Sequence, residues 1–190
     1  MRVIAGQARG LRLAAPRGRQ VRPTSDRVRE SLFNILGARV PGADVLDLFA
    51  GSGSVGVEAL SRGARAAVFV ELDPHAVAAI RRNLAHTGQA AAGEVRLQHS
   101  LVAVRQLGRQ GRRFSVIFMD PPYGRNWPRL TLKVIAGSRI LAPGGVAVVE
   151  HGRREVPPQQ VEDLQLTRQN NYGDTTLSFY EAGDRGGEDL

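Results

Sequence analysis

The 190-residue chain contains no cysteine, which excludes a disulfide framework and argues against a zinc site. Its four histidines show no metal-ligand spacing; they are His75, His86, His99 and His151. The chain also lacks an uninterrupted apolar run of the roughly 18 residues that a membrane span needs, and residues 1–6 lack the apolar core of a signal peptide. We therefore expect a cytoplasmic protein with no disulfide, metal or membrane partner.

Lysine is almost absent, since Lys133 is the single lysine among 26 basic residues, and the formal net charge is +8. Acidic residues are absent from residues 1–22, so positive charge is concentrated there. A segment of this kind favours a polyanionic partner, and we interpret it as an arm that binds RNA or DNA. Genomic base composition is the alternative explanation for the arginine excess. The arginines of the arm are Arg2, Arg9, Arg12, Arg17, Arg19 and Arg22.

Strands and helices alternate along the chain from residue 44, and the length fits one domain. Ahead of them we expect a short hairpin near residues 3–13 and a helix from Thr24 or Ser25 to about Ala38. The alternation predicts a mostly parallel sheet with helices on both faces, closed by an antiparallel pair. The predicted strands span 44–49, 66–71, 94–99, 114–120, 146–150, 161–167 and 175–180. The predicted segments are an arm (1–22), a domain (23–182) and a loose tail (183–190).

A glycine-rich turn at 51–56 follows the first predicted strand and matches G-x-G-x-x-G. Glu71 follows Gly51 by 20 residues, where an acid can accept hydrogen bonds from ribose hydroxyls. These features fit any cofactor that contains ribose. Asp47 favours S-adenosylmethionine, because a carboxylate there attracts an ammonium group and repels a pyrophosphate. A nicotinamide dinucleotide remains the alternative.

The four residues Asp120-Pro121-Pro122-Tyr123 follow the apolar strand at 114–119. The Asp120 carboxylate and the Pro121 carbonyl can accept two N–H bonds from one amino group, while the Tyr123 ring stacks on a flat base. Pro122 stiffens the turn that carries these acceptors. The motif indicates methylation of an exocyclic amino group, for which adenine, cytosine and guanine all qualify.

Several segments together resemble the bacterial 16S ribosomal RNA guanine-N2 methyltransferase family over nearly the whole chain. The matching segments are 1–6 with Gly10, 22–36, 47–53, 58–64, 69–71, 120–123 and 172–175. The resemblance implies a Rossmann-like class I methyltransferase whose seven-stranded sheet has one antiparallel strand, with an N-terminal hairpin arm. It also implies methyl transfer from S-adenosylmethionine to N2 of a guanine in 16S rRNA, free or within a small-subunit particle. We expect a monomer.

The site residues that follow from the motifs and the resemblance form three groups. The catalytic group is Asp120, Pro121, Pro122 and Tyr123. The cofactor group is Thr24, Arg27, Asp47, Phe49, Gly51, Ser52, Gly53, Glu71, Leu72, Ser100 and Leu101. Arg125 joins the arginines of the arm as an RNA contact. Related enzymes often carry an acid for adenine after the third strand, whereas His99-Ser100-Leu101 offers only a hydroxyl and backbone groups here.

Some of these residues have structural alternatives. Asp73 precedes Pro74 and is a better candidate for a helix N-cap than for a cofactor ligand. Asp26 and Glu30 fit ion pairs at a helix start, although Arg22, Thr24 and Arg27 could instead close over the methionine carboxylate. The segment 172–175 is either a hairpin turn or a contact near the base.

Three other functions compete with the favoured one. A DNA adenine-N6 or cytosine-N4 methyltransferase uses the same motif, but 190 residues leave no room for a target-recognition domain. A dinucleotide oxidoreductase would use the glycine turn and has no evident use for Asp120 to Tyr123. A non-catalytic RNA-binding module could keep the same fold.

Overall fold

A single mixed sheet forms the centre of the computed structural model, which describes residues 1–16, 25–122, 126–155 and 157–183. Six predicted site residues lie outside the described residues: Arg17, Arg19, Arg22, Thr24, Tyr123 and Arg125. Within the described ranges, no helix combines the length and the apolar character needed to cross a membrane.

Eight strands build the sheet in the order β3-β2-β1-β4-β5-β8-β7-β6. The strands are β1 (Asp44–Leu48), β2 (Ala66–Glu71), β3 (Gly93–Leu97), β4 (Phe114–Met119), β5 (Leu141–Gly152), β6 (Gln160–Val161), β7 (Leu164–Tyr172) and β8 (Thr175–Ala182). β1 to β5 are parallel, and β8 lies antiparallel between β5 and β7. The fold is that of a Rossmann-like class I methyltransferase, as predicted.

The sheet has eight strands where seven were predicted. Two of them, β6 and β8, run opposite to β1–β5, where one such strand was predicted. β6 has two residues and pairs antiparallel with β7, so it runs in the same direction as β8. Two residues are too few to show the alternating pattern by which a strand is recognised in a sequence.

Helices cover both faces of the sheet. They are α1 (Asp26–Leu36), α2 (Ser54–Ser61), α3 (Pro74–His86), α4 (Ser100–Arg109) and α5 (Trp127–Ser138), with short 3-10 turns at Gly37–Arg39 and Ala90–Ala92. The first three helices share one apolar cluster with alternate residues of the sheet, and α4 and α5 share the other. Phe118 lies in the first cluster and Met119 in the second, because successive side chains of a strand point to opposite faces.

β5 begins five residues before the predicted Val146. Phe114 of β4 pairs with Leu141 and Val116 pairs with Val146, so the additional residues of β5 form an irregularity within the strand. Residues 143–145, Pro-Gly-Gly, lie within this irregularity, which lets the strand continue past its glycines.

The N-terminal segment, residues 1–14, folds back on itself. Arg2 and Arg12 form one antiparallel bridge, and the Val3 N–H donates to the Leu11 carbonyl at 2.9 Å. The predicted hairpin is therefore present in its smallest form.

This segment is docked on the domain. The Glu58 carboxylate in α2 accepts the N–H groups of Ile4 and Ala5 at 2.8 and 3.0 Å, and Arg62 Nε donates to it at 2.7 Å. Three apolar side chains of the segment are buried: Val3, Ala8 and Leu13. Three arginines remain exposed: Arg2, Arg9 and Arg12. The segment therefore presents its positive charge to solvent from a fixed position.

Candidate active site

Three carboxylates lie at the carboxyl ends of neighbouring parallel strands. Asp47 in β1 pairs with Phe118 of β4, and Asp120 directly follows β4. Met119 pairs with Val149 of β5, so Glu150 is the next position across from Asp120. By strand alternation all three carboxylates share the sheet face that α1 to α3 cover. The strand order reverses between β1 and β4, which is where open α/β sheets bind their ligands.

Asp47 is 2% exposed and accepts the Gly56 N–H at 2.9 Å through Oδ2. Burial raises the pKa of Asp47 to about 8, the Gly56 hydrogen bond opposes this, and the nearby Glu71 charge adds to it. Asp47 forms no salt bridge with any residue that the structure describes. A bound cation would therefore relieve the cost of ionising this carboxylate.

The glycine turn adopts the backbone that its sequence predicts. Gly51 and Gly53 have φ of 55° and 75°, and Gly53 is the N-cap of α2. A Cβ at Gly56 would lie 2.2 Å from the Phe69 ring, so glycine lets α2 pack close to β2. Phe49 also has a positive φ of 61°, which is a strained conformation for an aromatic residue.

Glu71 fastens the glycine turn to the end of β2. Its Oε2 accepts the Gly51 N–H at 2.8 Å, and its Oε1 accepts those of Leu72 and Asp73 at 2.7 and 3.0 Å. The Leu72 side chain is 62% exposed. Asp73 accepts the His75 N–H at 2.9 Å and caps α3, so its prediction as an N-cap is confirmed.

Asn83 of α3 joins the glycine turn to the N-terminal segment. Its amide nitrogen donates to the carbonyls of Ser52 and Ala14 at 2.9 and 3.0 Å, and its oxygen accepts the Ala14 N–H at 2.8 Å. Asn83 is buried. The end of the docked segment therefore lies beside the turn.

Asp120, Pro121 and Pro122 leave the end of β4 at the same edge. Burial raises the pKa of Asp120 to about 8, and the charges of Glu150 and Asp47 add to the effect. Pro121 is buried and Pro122 exposed. A carboxyl group whose pKa is raised in this way is a candidate for exchanging a proton with a ligand.

Trp127, at the start of α5, contacts two predicted parts of the cofactor site. Its ring meets Phe49 edge-on with centroids 5.9 Å apart, and lies 5.8 Å from the His99 ring. His99 Nδ1 caps α4 by accepting the Leu101 N–H at 3.3 Å, and Ser100 is buried. Phe49 and the start of α4 are thus brought together at one edge.

Two residues of this edge were missed by sequence reasoning. Trp127 is the single tryptophan of the chain, four residues past Tyr123. Glu150 ends the fifth apolar run as Asp120 ends the fourth, and this equivalence was a usable signal.

Arg27 of α1 borders the N-terminal segment. It lines a cleft of about 430 Å³ together with Arg2 and Arg9. Asp26, which also lines the cleft, forms an ion pair with Arg29 at 3.0 Å. An ion pair at the start of the helix was one of the alternatives predicted for Asp26. A role of Arg27 at the methionine carboxylate stays a prediction.

The segment 172–175 is a hairpin turn between β7 and β8. Tyr172 pairs with Thr175, and Gly173 has a φ of 60°. Thr175 also pairs with Gly152 at the end of β5, so the turn lies at the carboxyl edge of that strand. A contact of this turn with a base stays a prediction.

Known proteins resemble this chain over its whole length. The family model described as "Conserved hypothetical protein 95" matches residues 1–181. "Ribosomal RNA small subunit methyltransferase D" of Escherichia coli K12 is 34% identical over 189 residues, covering 100% of this chain and 93% of the relative. The chain belongs to the small-subunit rRNA methyltransferase D family.

Two further comparisons agree with this family. "Putative rRNA methyltransferase YlbH" of Bacillus subtilis is 38% identical over 181 residues, covering 95% of this chain and 98% of the relative. The solved structure described as "Putative methyltransferase yhhF from Escherichia coli" has a TM-score of 0.85 at 34% identity and covers 96% of this chain and 97% of that one. The family and the methyltransferase fold predicted from the sequence are confirmed.

Proposed function

We propose that this chain transfers a methyl group from S-adenosylmethionine to N2 of a guanine in 16S rRNA. The observation that carries the proposal is the position of Asp120, Pro121 and Pro122, which follow β4 beside Asp47 and the glycine turn. The names of the relatives support ribosomal RNA as the substrate. The motif supports an exocyclic amino group as the acceptor, and the family resemblance supports guanine.

The residues at the carboxyl edge fit the proposed cofactor. S-adenosylmethionine, when bound, supplies a methyl group on a positively charged sulfur. Asp47 is a buried carboxylate without a salt bridge among the described residues, and would hold the ammonium group of the methionine part. Glu71 would accept ribose hydroxyls while it holds the Gly51 N–H, and Ser100 with Leu101 would contact adenine.

The target amino group would be held by Asp120 and the Pro121 carbonyl. An aromatic amine is a poor nucleophile, because its lone pair is delocalised into the ring. Acceptors for both N2 hydrogens fix the orientation of the nitrogen and stabilise the positive charge that develops on it. Pro122 stiffens the turn that carries these acceptors. Tyr123 would stack on the base, and a paired guanine must be extruded from its helix to arrive there.

Asp120 is also the proposed acceptor of the proton that N2 loses. N2 gains a methyl group and releases one proton, so the reaction needs a group that can take it. The pKa of Asp120 is raised to about 8, which is close to the pH of a cell. A carboxylate with such a pKa accepts a proton readily under these conditions.

The exposed arginines of the N-terminal segment are the proposed contacts to RNA phosphates. A triple Arg2→Gln, Arg9→Gln, Arg12→Gln variant should bind RNA more weakly, and the slope of log K against log[salt] should fall by about one for each phosphate that is no longer bound. Fluorescence anisotropy over a salt series measures this. Replacing Arg105, Arg109 and Arg113 by glutamine removes equal charge from exposed sites in and after α4 and serves as the control. Equal slopes for the two variants would argue against the segment as the site that binds phosphates.

A Glu71→Gln variant should bind S-adenosylhomocysteine roughly tenfold more weakly, by the loss of one charge-assisted hydrogen bond. It should also lower the melting temperature, because the amide nitrogen would face a backbone N–H group that the carboxylate now accepts. Calorimetry and thermal unfolding measure the two effects. Glu162→Gln, in the distant β6–β7 turn, is the control. Unchanged cofactor affinity would remove Glu71 from the site.

The decisive test is methyl transfer from labelled S-adenosylmethionine to three substrates: unmodified small ribosomal subunits, free 16S rRNA, and DNA. Nucleoside analysis of the product should give N2-methylguanosine from the ribosomal substrates. N6-methyladenine or N4-methylcytosine in DNA would replace the proposal with the DNA enzyme, and no turnover would favour a binding module. We further propose a cytoplasmic monomer, which gel filtration and fractionation of cells would test.

A further inference from the structure

We propose that Glu150 determines specificity for guanine by accepting the hydrogen bond of the ring N1–H while Asp120 holds the adjacent amino group. The inference rests on the proposed function and adds a residue that neither the motif nor the resemblance includes. It assigns the choice among the three bases with an exocyclic amino group to one side chain.

The sheet register brings the two acids together. β4 and β5 are neighbouring parallel strands whose last paired residues here are Met119 and Val149, so Asp120 and Glu150 occupy the next equivalent positions. His151, one residue further, hydrogen-bonds Ser178 Oγ at 2.7 Å, and Ser178 pairs with Val149. The His151 side chain therefore points to the same face of the sheet as that of Val149. Because side chains alternate along a strand, Glu150 points to the opposite face, on which Asp120 lies.

Glu150 is a buried acid at the end of a mostly apolar strand. It is 5% exposed, and the four residues before it, Val146 to Val149, are buried and apolar. Its charge is one of the causes that raise the pKa of Asp120, so the two carboxylates are close enough to influence each other. Two carboxylates at the ends of neighbouring strands offer acceptors to two N–H groups of one ligand.

Guanine is the base whose hydrogens match two neighbouring acceptors. Its amino group on C2 lies beside a ring N1–H, so the two groups present parallel donors. In adenine the amino group lies beside the N1 lone pair, and in cytosine beside the N3 lone pair. A carboxylate at that position would accept the guanine N1–H but repel the lone pair of either other base.

The discrimination expected from this arrangement is large. A buried acceptor that hydrogen-bonds one substrate and faces a lone pair in another loses the bond and adds a repulsion. Sites that hydrogen-bond a substrate group reject analogues without it by about 10⁴- to 10⁵-fold. Asp120 and Pro121 alone would hold any of the three amino groups, so this selectivity has to come from a residue beside them.

The test uses RNA with 2-aminopurine in place of the target guanine, once nucleoside mapping has located that guanine. 2-Aminopurine keeps the C2 amino group but carries a lone pair at N1. Wild-type protein should prefer guanine by at least about 100-fold in kcat/KM. A Glu150→Gln variant, whose amide can donate to that lone pair, should lose activity on guanine and gain activity on 2-aminopurine.

The gain on 2-aminopurine cannot arise from damage to the fold, which would lower both activities. Glu150→Asp keeps the charge on a shorter side chain and should methylate guanine more slowly while still rejecting 2-aminopurine. The control is Glu181→Gln in β8, which removes an ion pair with Arg39. It should leave the preference for guanine over 2-aminopurine unchanged.

Each other outcome overturns the inference. A Glu150→Gln variant with the wild-type preference shows that Glu150 does not read the ring nitrogen. A variant that binds S-adenosylhomocysteine but methylates neither RNA shows a role in the chemical step instead of specificity. Failure of the proposed function itself has a different signature, because the wild-type protein would then form no N2-methylguanosine on natural RNA.

Discussion

An Asp120→Ala variant should lose methyl transfer by roughly 100- to 1,000-fold in kcat, which is the usual effect of removing one preorganised group that stabilises charge in a transition state. With alanine, the Pro121 carbonyl is the one proposed hydrogen-bond acceptor left for the amino group. The variant also lacks the carboxylate proposed to accept the released proton. KM for RNA should change much less, because the arginines proposed to contact phosphates are elsewhere. Single-turnover assays with labelled cofactor measure the chemical step directly.

Cofactor affinity separates this result from a general loss of structure. Asp120→Ala should bind S-adenosylhomocysteine within about threefold of wild type, since the proposed cofactor contacts come from β1, β2 and α4. Asp44→Asn removes a carboxylate from the opposite end of β1 and should leave turnover unchanged. Turnover by Asp120→Ala at the wild-type rate would refute the assignment of this residue.

The pH dependence of wild-type turnover gives a second reading of Asp120. Ionised Asp120 is the better acceptor, and its pKa is raised to about 8 by burial and by the charges of Glu150 and Asp47. The rate of methyl transfer should therefore rise with pH up to about 8 and then level off. In Glu150→Gln one of the causes of the raised pKa is gone, so the rise should move to lower pH.

An Asp47→Asn variant should bind S-adenosylmethionine about 10- to 100-fold more weakly, which is the range for the loss of one hydrogen bond to a charged group. The structural reason is that the proposed ammonium site consists of one buried carboxylate. The amide oxygen of asparagine can still accept the hydrogen bond from the Gly56 N–H in the first turn of α2. The glycine turn should therefore keep its conformation. Calorimetric titration measures the affinity.

The affinity of wild type should also depend on pH, with a definite sign. Asp47 must be ionised to hold a cation, and its pKa is about 8 in the fold, with Glu71 and Asp120 as the neighbouring acids. Below pH 8 cofactor binding therefore releases a proton, and the affinity should rise by up to about tenfold per pH unit before it levels off. Asp47→Asn should remove this dependence. A wild-type affinity that stays flat between pH 6 and 8 would contradict the assignment.

The raised pKa of Asp47 also affects the stability of the ligand-free protein. Here the expected change has the opposite sign, because stability falls as pH rises whereas cofactor affinity increases. An aspartate in an unfolded chain has a pKa of about 3.9, whereas that of Asp47 in the fold is about 8. The folded state holds the proton more tightly, so this stabilisation is complete below about pH 4 and is lost as pH rises through 8. The free energy of unfolding of Asp47→Asn should therefore change less over this interval than that of wild type.

The sequence predicted the parts of the site that depend on local chemistry. Ser25 and Asp73 cap their helices as expected, because a cap needs a short polar side chain at one position. The glycines at 51 and 53 adopt the positive φ that a tight turn requires. The strand ends that carry Asp47 and Asp120 were equally readable, since long apolar runs define them.

What the sequence did not reveal depends on contacts between distant segments. The Glu150 position beside Asp120 comes from the pairing of β4 with β5, which no local pattern encodes. Glu58 accepts the N–H groups of Ile4 and Ala5, which lie more than 50 residues earlier in the chain, so no pattern around Glu58 indicates this contact. β6 is too short to have a pattern of its own.

The docking of the N-terminal segment also sets an order of events during synthesis. Ile4 and Ala14 leave the ribosome first, but their partners Glu58 and Asn83 follow 54 and 69 residues later. Contacts over such separations form late, because the loop between them must close first. The end of the segment at Ala14 therefore lacks its Asn83 contact until α3 has been made, and the glycine turn receives its support from Asn83 at the same stage.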